Sequence, residues 1–130
     1  RRPMVEDEDG TMFMELFSDL MNAIAAKDLM TALECGESMA ALDSREKQKA
    51  FCNFAASCIR KIFMLQQNLQ QIADVGEDEY GFYVDMADKC PKGFCMKAIA
   101  NIEKVVSMID RNVSSKILFC DLVNRMFMNI

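Results

Sequence analysis

Residues 51–72 read FCNFAASCIRKIFMLQQNLQQI, and this stretch decides the fold. Its apolar positions Phe51, Phe54, Cys58, Ile62, Leu65, Leu69 and Ile72 recur at steps of three and four. That spacing stacks side chains on one face of an α-helix, here for about six turns. Ala55, Ile59 and Phe63 form a second apolar row beside the first. A helix apolar over so wide an arc belongs at the centre of a domain, with neighbours on at least two sides.

Upstream of it, Asp43 stands three residues before Glu46, the capping-box spacing, and is expected to open this helix. Asp28 is expected to open another, carrying Leu29, Leu33 and Met39 with Cys35 and Gly36 in its middle. Before that, Phe13, Phe17, Leu20 and Ile24 mark a helical stripe from Thr11 to about Ala26, widened by Met14, Leu16 and Met21. Downstream, Gly76-Glu77-Asp78-Glu79 ends the central helix, and a short helical segment runs from Tyr80 to Cys90. Pro91 and Gly93 break the pattern again. A fifth helix then spans Phe94 to about Asp110, with Cys95, Ala98, Ile102, Val105 and Ile109 on one face. After a turn at Asn112, a sixth segment holds Phe119, Leu122, Val123, Met126 and Ile130. No long stretch alternates with period two. The expected fold is all-α, a bundle of five or six helices in one domain over residues 11–130. Residues 1–10, with Glu6, Asp7, Glu8 and Asp9 in a row, read as a solvated acidic arm or an acidic first turn.

Six cysteines stand in these 130 residues, at 35, 52, 58, 90, 95 and 120. An even number in a small acidic chain reads as a disulfide framework stapling the bundle, and hence as a secreted, extracellular protein. Cys52 and Cys58 cannot join each other along one helix, since six residues rise about 9 Å and a bridge needs Cα atoms within roughly 7 Å. A hairpin folded near Asp43-Ser44 instead sets Cys35 beside Cys52, the first expected pair. The same bisection puts Cys58 opposite Cys95, with Cys90 as rival, and leaves Cys120 the remaining partner. Asn112-Val113-Ser114 is a glycosylation acceptor pattern and Asn112 a candidate site. The opening Arg1-Arg2-Pro3 is read as the start of a mature form. The small helical, acidic, six-cysteine design is similar to that of insect odorant-binding proteins. Its spacing departs from theirs, with five residues between Cys52 and Cys58 and twenty-four between Cys95 and Cys120, and no family is assigned.

The net charge of −5 disfavours nucleic acid and anionic membrane surfaces as partners, and no apolar run has the length of a membrane span. The chain holds no histidine. Imidazole-based triads, dyads and histidine-ligated zinc are therefore excluded. No metal or cofactor is expected: Cys90 and Cys95 stand at the edge of zinc-ligand spacing, and the acidic run Asp74 to Glu79 lacks the EF-hand pattern. Twelve methionines and nine phenylalanines remain to be explained. Methionine is flexible and polarisable, suited to irregular cores and adaptable binding surfaces. Met14, Met21, Phe51, Phe54, Phe63, Met64, Met108, Phe119 and Met126 are the candidate lining of a ligand pocket. The expectation is a non-enzymatic binding protein that carries a small hydrophobic ligand in a Met/Phe-lined interior. The alternative is a signalling, venom or host-directed effector that acts on an extracellular protein through its surface. An exposed apolar patch without an internal void would favour the latter.

Overall fold

A computed structural model describes residues 4–69 and 73–130, which form six helices and no strand. They are α1 (Met4–Ala25), α2 (Leu29–Ala40), α3 (Arg45–Gln66), α4 (Glu77–Lys89), α5 (Phe94–Ile109) and α6 (Ser115–Met128). The fold is all-helical, and none of these helices is long and apolar enough to cross a membrane. Helix α1 begins at Met4 rather than Thr11, so the acidic run lies in its first turns, the second of the two readings given for it.

Local chemistry sets the helix ends. Asp28 caps α2: its carboxylate accepts from the Thr31 amide at 3.2 Å and the Thr31 hydroxyl at 2.6 Å. The cap of α3 is Ser44 rather than Asp43. Its hydroxyl accepts from the Lys47 amide at 3.0 Å, while Asp43 lies 3.7 Å from the Lys47 ammonium. Helix α3 stops at Gln66, short of the expected end, because Asn68 takes the left-handed conformation at φ 61°. Leu69 is consequently exposed; Ile72 lies outside the described residues. Gly93, at φ 90°, makes the turn into α5 that a side chain would strain.

Helix α3 packs mainly along α5 and α2 along α6, with α1 laid on α2 and α4 on α3. Phe17 from α1, Met39 from α2, Phe51 and Ile59 from α3, Ile102 from α5, and Leu122 and Met126 from α6 meet at the centre. Helices α2 and α6 pass close together at Gly36, where an added Cβ would lie 3.1 Å from a Val123 methyl carbon.

All six cysteines are free thiols, which corrects the disulfide-stapled reading. The expected Cys35–Cys52 bridge fails because α2 and α3 do not form a side-by-side hairpin and touch only sparingly. Cys35 faces Asp19 and Ala23 of α1, whereas Cys52 lies in the central core among Phe17, Met39 and Ile102. Apolar packing, with a few side-chain hydrogen bonds and ion pairs between helices, joins the bundle. Buried thiols act there as small apolar side chains.

Candidate functional site

The bundle's centre is full. The space among Phe17, Leu20, Phe51, Leu122 and Met126 amounts to about 10 Å³, at most the room of one water. The candidate lining residues accordingly divide. Met21, Phe51, Phe119 and Met126 are buried core, with Phe51 and Met126 meeting at that small void. Phe63 and Met64 are half-buried against the core, and Met108 borders a shallow groove between α5 and α6. Only Met14 and Phe54 come together at a space large enough for a ligand.

That space is a cleft of about 740 Å³ where α1 meets α3 and α4, within the size range of small-molecule sites. It exists because α1 makes few contacts with either helix. Helical periodicity aims the lining inward. Gly10, Thr11, Met14 and Glu15 share one face of α1. Phe54, Ser57, Cys58 and Lys61 follow steps of three, one and three on α3, and Glu79 and Tyr83 are one turn apart on α4.

Cys58 and Tyr83 form a buried floor, Met14 and Phe54 half-buried walls, and Thr11, Glu15, Ser57, Lys61 and Glu79 a polar rim. Tyr83 is 1% exposed. Its hydroxyl donates to the Met14 sulfur at 4.0 Å and borders the Cys58 thiol on the floor. Burial, then the Cys58 contact, pushes the phenol well above its ordinary range. Burial likewise raises the Cys58 thiol, partly offset by Tyr83 and by the Lys61 charge. Both floor groups are therefore neutral near pH 7 and are poor nucleophiles or bases there. The Lys61 ammonium sits 6.0 Å from the centre of the Tyr83 ring. Aromatic contacts brace the floor and walls: Phe82 packs edge-on to Tyr83 at 5.3 Å and to Phe17 at 6.0 Å, and Phe13 stands 5.7 Å from Phe54.

The cleft thus offers a neutral floor of Cys58 and Tyr83 under a charged rim. Among the described residues no three Cys, Asp or Glu side chains converge on a metal-sized site. Sequence reasoning picked out Met14 and Phe54 but missed Ser57, Cys58, Lys61, Glu15 and Glu79 as lining. A row that mixes Phe54 with Ser57, Cys58 and Lys61 was the available signal: a fully packed face would be apolar throughout. Asn112 is exposed in the α5–α6 turn. No protein-family model, curated protein or solved structure matches this chain.

Proposed function

We propose that the protein is a non-enzymatic binding protein for a small hydrophobic molecule, held in the α1/α3/α4 cleft rather than in the interior. The observation that carries this reading is a 740 Å³ recess with a buried, neutral floor beside a centre with room for about 10 Å³. An apolar body would lie over Met14, Phe54 and Tyr83, and a polar head would stay at the rim. Two carboxylates, Glu15 and Glu79, face one ammonium, Lys61, at that rim. With the net charge of −5, this favours a neutral or cationic head over an anionic one. Location outside the cytosol remains part of the proposal. With the bridges gone, it rests on the Asn112-Val113-Ser114 acceptor alone.

The test is fluorescence titration with two amphipathic dyes of matched size, one cationic and one anionic, against wild type and Ser57→Trp. Position 57 is exposed on the cleft wall, so the larger side chain fills the recess without entering the core. Saturable binding of the cationic dye, weakened about tenfold or more in the variant, supports the reading, tenfold being about 1.4 kcal/mol. Absence of saturable binding by either dye, or equal affinity in the variant, refutes it.

A second reading, an effector that acts on another protein, is favoured by exposed apolar side chains on the packed pair α2 and α6. Met30, Ile117 and Met128 are 74%, 66% and 80% exposed. Sedimentation across a concentration series, with wild type and Met30→Ser/Met128→Ser, shows whether these side chains mediate association with a second copy.

A further inference from the structure

On the cleft wall a sulfur atom meets a buried donor. Tyr83 on α4 is 1% exposed, so its hydroxyl must find a partner inside the protein. It donates to the Met14 sulfur of α1 at 4.0 Å. A thioether is a weak acceptor, and the donor is poorly satisfied by it. Met14 is itself half-buried and lines the cleft near the exposed Thr11 and Glu15, where solvent reaches it. Among the described residues no other methionine sulfur accepts a hydrogen bond. Met21, Met39, Met86 and Met126 lie in the core, where an oxygen added to sulfur would be stranded among apolar side chains. Met12, Met30, Met96 and Met128 are exposed, and an oxygen there would turn to water. Met14 combines access from solvent with a donor that lacks a strong acceptor.

We propose that Met14 is a modification site: hydrogen peroxide converts its thioether to a sulfoxide, whose oxygen accepts from Tyr83 and lowers the cleft's affinity for an apolar ligand.

The effect on affinity rests on the binding role proposed above; the oxidation and the new hydrogen bond do not. A thioether reacts as it stands, whereas the neighbouring Cys58 needs a thiolate that burial opposes. A lone pair of the Met14 sulfur attacks one peroxide oxygen, an S–O bond forms and the O–O bond breaks. The departing hydroxide takes the proton left on the transferred oxygen, giving one water and the neutral sulfoxide. Sulfur loses two electrons and peroxide gains them. In a buried setting a sulfoxide oxygen accepts from a phenol far better than a thioether does, so oxidation strengthens a bond here where in the core it would strand a polar atom. The same step turns a soft apolar wall into a polar, chiral one facing Phe54 across the cleft. Helices α1 and α4 touch sparingly elsewhere, so the strengthened bond also bears on how α1 seats.

The experiment treats the folded full chain carrying Tyr80→Phe with graded hydrogen peroxide and quenches with catalase. Tyr83 is then the one phenol, and the chain has no tryptophan to obscure its absorbance. After reduction of the thiols and digestion, mass spectrometry reads the gain of one oxygen at each methionine. Met14 should gain it together with the exposed methionines and well before the four core ones. The tyrosine absorbance should move to longer wavelength in step with the Met14 sulfoxide, and should not move in Met14→Leu. The affinity for the cationic dye should fall by about tenfold on oxidation, and stay level in oxidised Met14→Leu. Oxidation of Met14 no faster than that of the core methionines, an absorbance that stays put as the sulfoxide forms, or an undiminished dye affinity would each overturn the proposal. Absence of dye binding before oxidation would sink the binding role instead, and mass and absorbance would still decide whether Met14 is the site. Circular dichroism establishes folding. Should Met14→Leu not fold, Tyr83→Phe takes its place, in which the remaining Tyr80 should show no shift.

Discussion

Gln48 is 5% exposed and the one buried polar side chain among the described residues, and replacing it with methionine gives a direct measure of what joins the helices. Its Nε2 donates to the Ala40 carbonyl at 3.1 Å, at the end of α2, and more weakly to the Leu42 carbonyl at 3.5 Å. Its Oε1 accepts from the Ser115 hydroxyl at 3.3 Å, at the start of α6. One side chain thus ties three helix ends. Gln48→Met keeps length and volume while removing the donor and the acceptor. A carbonyl left without its partner costs about 1–3 kcal/mol, whereas the Ser115 hydroxyl, only half-buried, can turn to water. Burying methionine in place of an amide recovers part of the loss, so the expected net destabilisation is about 1–2 kcal/mol. Urea unfolding followed by circular dichroism should show a lower midpoint with an unchanged slope. Thermal melts should fall by roughly 3–6 °C per kcal/mol for a chain of this size. In a double-mutant cycle with Ser115→Ala, the two changes should couple by about 0.5 kcal/mol or more. A variant within about 0.5 kcal/mol of wild type would show that the amide is not holding these ends together.

Two further outcomes follow from the packing. Cys52 ionises near its ordinary value of 9.0 in the unfolded chain but only at about 12 when folded, because burial penalises the thiolate. The native state therefore keeps a proton that the unfolded state loses, and this stability is intact below pH 9 and lost as pH rises toward 12, by up to about 1.4 kcal/mol per pH unit per thiol. Urea midpoints under reducing conditions should fall from pH 8.5 to 11 and fall less in Cys52→Ala measured against its own pH 8 value; a flat profile in wild type would refute the buried thiol. At the α2–α6 crossing, Gly36→Leu should destabilise by about 1–3 kcal/mol even though leucine gains nearly 1 kcal/mol in helix propensity, because its Cβ already meets Val123 at 3.1 Å. Equal stability by urea unfolding would mean that the helices do not come that close.

The helices were legible because burial on one side imposes a three-to-four step that the apolar residues must obey, as in Phe13-Phe17-Leu20-Ile24 and Cys95-Ala98-Ile102-Val105-Ile109. Their ends were less so, where two capping chemistries compete within a residue or two. Asp43 has the capping-box spacing to Glu46, yet Ser44 takes the cap and Asp43 faces Lys47 instead. The expected helix after Gly76 opens at Tyr80, yet the three carboxylates Glu77, Asp78 and Glu79 complement the helix dipole in a first turn, and α4 starts with them. What periodicity does not carry is the choice of neighbour. The apolar rows of α3 say that it is central, not that it packs along α5 while α2 goes to α6. The disulfide expectation failed at that step, since the Cys35–Cys52 pair presumed adjacency in space from adjacency in sequence. Cysteine parity misled as well: a buried thiol serves as a small apolar side chain, and an even number of these needs no bridges.

The same limit bears on the expected Met/Phe-lined interior, because periodicity does not say whether a buried row closes a space or borders one. Met21, Met39, Met86 and Met126 are all almost completely buried, and their flexible side chains fill the irregular gaps that crossing helices leave. Soft residues close an interior rather than hold it open, which is how the centre comes down to about 10 Å³. Open volume in such a bundle arises where a seam lacks apolar side chains. Along the seam of α1 with α3 and α4, the positions that would interlock are Thr11, Glu15, Ser57, Lys61 and Glu79. Each is a residue whose burial without a partner costs more than leaving it hydrated. Helix α1 therefore stands off there while Phe13, Phe17, Leu20 and Ile24 hold its other face to the core. The cleft is the physical consequence of polar residues placed on otherwise apolar helical rows, and in that sense its position is written in the sequence.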